Sequence, residues 1–70
     1  VKRIDLIKKI GAAAIVAGKD FSLLREGGSH SIFQCGDLTV VIPRHREINE
    51  ITARGIMRDL DGQLGEGWWK

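Results

Sequence analysis

The chain has one cysteine, one proline and two histidines among its 70 residues. Cys35 alone forms no internal disulfide and supplies no second thiol for a zinc cluster, so a stapled secreted mini-protein is excluded and a reducing cytoplasm is the expected setting. Two histidines without a carboxylate cluster argue against a preformed metal site, and no metal or cofactor is expected. The rest of the composition, 43% hydrophobic and 29% charged, is that of an ordinary globular chain and argues against disorder, collagen or coiled coil. There is also no long apolar run. The stretch from Ile10 to Ala17 stops at Gly18, well short of the roughly 20 residues a membrane span needs, so no membrane partner is expected. Its basic approach, Val1-Lys2-Arg3 and Lys8-Lys9, imitates a secretory leader. Asp5 interrupts that basic region, however, and cleavage would leave about 50 residues with too little core. Neither charge sign is scarce: eleven Lys and Arg against nine Asp and Glu leave +2, which permits a polyanionic partner without demanding one.

What is present fits one small domain, residues 1–64, with an aromatic tail over 65–70. A chain this short hides only about 60% of its unfolded surface on folding. From Lys2 to Ala17 the periodicity is helical, with Ile4, Ile7, Ile10 and Ala14 as the apolar stripe, Leu6, Ala13 and Ala17 beside it, and Gly18 as the stop. The period then changes to two. Phe21–Glu26, Ser29–Cys35 and Leu38–Ile42 read as three strands, separated by Gly27-Gly28 and Gly36-Asp37 and ended by Pro43, and short connections make them an antiparallel meander. After a basic linker, Asn49 caps a second helix with Ala53, Ile56, Met57, Leu60 and Leu64 as its buried side. The expected fold class is α+β, in α-β-β-β-α order, with two helices on one face of a three-stranded sheet. The strands are apolar in both phases, which leaves the other face as a partner surface.

Three groups of residues carry chemistry. His30 follows Gly27-Gly28-Ser29 at the start of the second strand, where an imidazole serves either as a general acid or base or as an ordinary surface histidine. Pro43-Arg44-His45-Arg46 concentrates positive charge before a helix, suited to phosphate oxygens or simply solvated. Lys8 and Lys9 on the first helix are a weaker basic feature. Trp68-Trp69 reads as an anchor packed on the domain in preference to a base-stacking platform. Ser29 lacks a His/Asp relay, and Cys35 reads as a core residue.

The run Gly27-Gly28-Ser29-His30-Ser31-Ile32-Phe33, followed by Val41-Ile42-Pro43-Arg44-His45, Glu47-Ile48 and Thr52-Ala53-Arg54-Gly55-Ile56, resembles HicA-type toxins of bacterial type II toxin–antitoxin systems. Lys2 to Ile10 also resembles that family's first helix, so the resemblance spans nearly the whole chain. Ile51 departs from it, standing where the family carries a small residue. The resemblance implies a double-stranded-RNA-binding-domain-like fold, cleavage of mRNA, His30 as the catalytic residue and a HicB-type antitoxin as partner. On that basis the expected RNA contacts are Gly28, Ser29, Arg25, Arg44, Arg46 and Lys9, with His30, Ile32 and Gln34 facing the antitoxin. The alternative is a non-catalytic RNA-binding module of the same fold; a third reading is a protein-interaction domain working through its open sheet face.

Overall fold

Alanine content and three-and-four spacing carry the first helix, α1, over Arg3–Ala17 in the computed structural model, which describes Val1 to Lys70. Gly18 ends it with a left-handed φ of 69°. The Gly18 amide donates to Ile15 at 3.1 Å and the Lys19 amide to Ala14 at 2.9 Å, a Schellman closure. The buried stripe is Leu6, Ile10 and Ala14, with Ile7 and Ala13 half-buried, and Ile4 is 60% exposed. At 3.6 residues per turn Ile4 lies about 120° round from Ile10, whereas Leu6 and Ala14 lie within about 40° of it. Arg3 is also on that inner side.

The strands are β1 (Phe21–Glu26), β2 (His30–Cys35) and β3 (Leu38–Pro43), forming one antiparallel sheet in the order β1-β2-β3. The β2–β3 loop is Gly36-Asp37, and Gly36 takes φ 57° at the first loop position, as two-residue hairpins often require. Alternation along β2 is clean: Ser31, Phe33 and Cys35 are buried, while His30, Ile32 and Gln34 point the other way. The register of β1 on β2 slips between Leu23 and Arg25, so Leu24 and Arg25 together oppose Ile32 in a β-bulge. Strict alternation would put Arg25 on the face of Phe21 and Leu23; the bulge returns it to the face of Ile32.

The linker after β3 runs alongside the chain entering α1: Arg3 donates its amide to Arg46 at 3.0 Å, and Ile48 is buried. Asn49 caps α2 (Glu50–Asp59), its side-chain oxygen accepting from the Ile51 amide at 2.8 Å. Ala53, Ile56, Met57, Leu60 and Leu64 are all buried, as their spacing predicts. The helix does not run unbroken to Leu64. It tightens where the Leu60 amide bonds back to Met57, and a separate short turn, α3 (Asp61–Leu64), follows; Asp61 and Gly62 are weak helix formers. Trp68 and Trp69 fold back onto the core, with Trp68 Nε1 donating to the Met57 carbonyl at 2.9 Å. The helices thus share the Phe33–Cys35–Val40–Ile42 face, giving the expected α+β arrangement, and the opposite face stays open. No helix is long and apolar enough to cross a membrane.

Candidate functional site

The rim is built where β2 begins and β3 ends. His30 pairs with Pro43, the Gly27 amide donates to the His30 carbonyl at 2.8 Å, and the Arg44 amide donates to the Ser29 carbonyl at 3.0 Å. Two sequence segments that look separate, Gly27–His30 and Pro43–His45, are therefore one structure. The His30 side chain is exposed and shares the open face with Ile32 and Gln34. Arg25, opposite Ile32 by virtue of the bulge, stands on that same face.

The two glycines before His30 differ. A Cβ on Gly27 would come within 3.3 Å of the His30 carbonyl oxygen, so the tight turn itself explains this glycine. Gly28 has neither a positive φ nor any neighbour that a Cβ would meet. The fold does not require a glycine there. The amides of Gly28 and Ser29 also donate to no backbone carbonyl, leaving two N–H groups open beside His30.

Beneath the rim runs a chain of polar contacts. Arg3 donates from Nε to the Pro43 carbonyl at 3.0 Å and from Nη2 to Ser31 Oγ at 2.6 Å. Ser31, with no exposed surface, donates in turn to Glu26 Oε1 at 3.0 Å. Arg44 completes the set, donating from Nη1 to the Gly27 carbonyl at 2.8 Å and lying 3.8 Å from Glu26 Oε2. Four elements are thereby fixed around His30. Sequence reasoning missed Arg3, Glu26 and Ser31. The available signal was helical spacing, which places Arg3 one turn before Leu6 and two before Ile10, on the stripe that faces the sheet.

The basic residues separate into different roles. Arg44 is committed largely to the turn. Arg46, with Lys2, Arg3, Ile4, Arg44 and Glu47, lines a cleft of about 520 Å³ at the same end of the molecule. Lys9 is exposed on α1, in the helical layer behind the sheet, and is not brought to the His30 face. His45 is exposed beside Arg44. Burial pushes the Cys35 thiol above its ordinary value of 9.0, against a smaller opposing effect from Lys19, so it is a core residue and a poor nucleophile. No three His, Cys, Asp or Glu side chains converge. No protein-family model, curated protein or solved structure matches the chain.

Proposed function

We propose that this protein is a ribonuclease toxin of the HicA type, cleaving mRNA through His30 and neutralised by a HicB-type antitoxin. The observation that carries the reading is the rim: the two halves of the sequence resemblance pair directly, and they set an exposed imidazole beside the open amides of Gly28 and Ser29.

RNA supplies its own nucleophile, the 2′-OH next to each phosphate. Attack on phosphorus forms the new P–O bond as the bond to the departing 5′-oxygen breaks. The 2′-OH proton must leave and the 5′-oxygen must gain one. His30 performs one of these transfers, without a metal. The Gly28 and Ser29 amides take the phosphoryl oxygens, with Arg25 facing the same side of the sheet. Arg46 holds a neighbouring phosphate, while Arg44 acts chiefly by keeping the turn in shape.

The test compares wild type with His30→Ala on a long RNA, with and without excess EDTA. General acid–base catalysis contributes roughly 10²–10⁴-fold, so the alanine protein should keep its melting temperature and lose cleavage and growth arrest. Wild-type cleavage should survive EDTA. An alanine variant that cuts at the wild-type rate overturns the assignment, and a wild type that binds RNA without cutting it leaves the RNA-binding module as the correct reading.

A further inference from the structure

The sheet has two edges, and they are not alike. On β1 the bulge at Leu24 and Arg25 breaks the regular row of outward backbone groups, a common way of blunting an edge. The β3 edge has no such break. The Arg44-to-Ser29 bond fixes the alternation of the antiparallel ladder: Leu38, Val40 and Ile42 turn their backbone groups toward β2, while Thr39 and Val41 turn theirs outward. Pro43 agrees with this phase, because its nitrogen has no hydrogen and falls among the outward set. Its carbonyl is already occupied by Arg3. What remains is a short open row at Thr39 and Val41, beside a groove of about 350 Å³ lined by those residues with Leu38, Val40, Ile56 and Asp59.

We infer that this edge pairs with the same edge of a second copy of the chain, antiparallel, to give a continuous six-stranded sheet. With the two-fold axis at Val40, Thr39 of each copy faces Val41 of the other, and all four outward N–H groups find carbonyls. Charge selects this orientation. Asp37 and Asp59 lie at the Leu38 end of the edge and have no ion-pair partner, whereas the Pro43 end is followed by Arg46, which has none either, and by Arg44, which Glu26 already holds. An antiparallel copy brings the acidic end of one chain to the basic end of the other; a parallel strand of like charge pattern would set acid against acid. The surface is therefore self-complementary, as a two-fold interface must be. One short strand edge covers less than the about 800 Å² per partner of a standard interface, so the dimer is weak and concentration-dependent. None of this depends on the ribonuclease reading.

Sedimentation velocity in low salt, from micromolar to millimolar chain, should show the apparent mass doubling. Val41→Pro removes an outward N–H that the folded monomer does not use, and should remain folded and monomeric. Amide exchange on the wild type reads the same edge without a variant: Thr39 and Val41 should exchange at least tenfold more slowly in concentrated than in dilute solution. A wild type that stays monomeric at millimolar concentration overturns the inference. So does a folded Val41→Pro protein that still dimerises, or exchange at Thr39 and Val41 that ignores concentration.

Discussion

Arg44 and Arg46 stand two residues apart on the same basic loop, yet their side chains do different work. The guanidinium of Arg44 bonds the Gly27 carbonyl and approaches Glu26, while Arg46 opens onto the cleft beside α1. Single substitutions should separate them. Arg46→Gln should leave the melting temperature alone and flatten the salt dependence of RNA binding by about 0.7 in slope, the value of one lost single-strand phosphate contact. Arg44→Gln should instead lower stability, by about 1 kcal/mol for a solvent-screened clamp, through loss of the turn contact. If both variants change only the salt slope, the clamp has no structural role. Their shared run of positive charge was plain in the sequence, but the division of labour was not, because it depends on the distant Glu26 and Gly27. Arg3 is the converse case. Its helical spacing was readable, but basic residues at the start of a helix are usually solvated, so nothing flagged it as the partner of a buried serine.

Among the elements, β2 was the most legible. Its alternation set Ser31, Phe33 and Cys35 against His30, Ile32 and Gln34, and the structure turns the Phe33 set toward the helices. β1 was the least legible. Phe21, Leu23 and Leu24 allow either phase, and only the register on β2 reveals the bulge that moves Arg25 across. The break at Leu60 was hidden for a similar reason: Leu60 and Leu64 keep helical spacing through it. The β1–β2 connection yields a sharper test. Gly28 has an ordinary backbone and open space where a Cβ would go, so Gly28→Ala should fold at least as stably as wild type, with up to about 0.4–1 kcal/mol gained from a stiffer unfolded chain. If RNA approaches that peptide closely, cleavage should fall at least tenfold in the same protein. Gly28→Ala with full activity would mean that the open amides beside His30 take no part.

At the scale of the molecule, the two faces of the sheet are unequal. One is sealed by three helices and the tryptophan tail; the other carries Leu24, Ile32 and Val41 at one level, with His30 and Arg25 alongside. An antitoxin that covered this band would bury apolar surface and close off the imidazole in one step. Ile32→Glu should then abolish co-purification with a cognate HicB-type antitoxin while circular dichroism remains that of wild type. A folded Ile32→Glu protein that binds at full strength would move that partner elsewhere.

The polar tie beneath the rim also sets an order of events. Arg3 reaches Ser31 across 28 residues and the Pro43 carbonyl across 40, and Arg44 reaches Gly27 across 17. During synthesis α1 emerges early and needs only local contacts to coil, but its arginine then has nothing to hold until β2 and β3 arrive. A chain released before Pro43 and Arg44 would carry His30 without the contacts that fix it in place. The rim is closed by contacts between segments up to 40 residues apart in sequence, so a chain that stops short of Arg44 would lack the contacts that fix it.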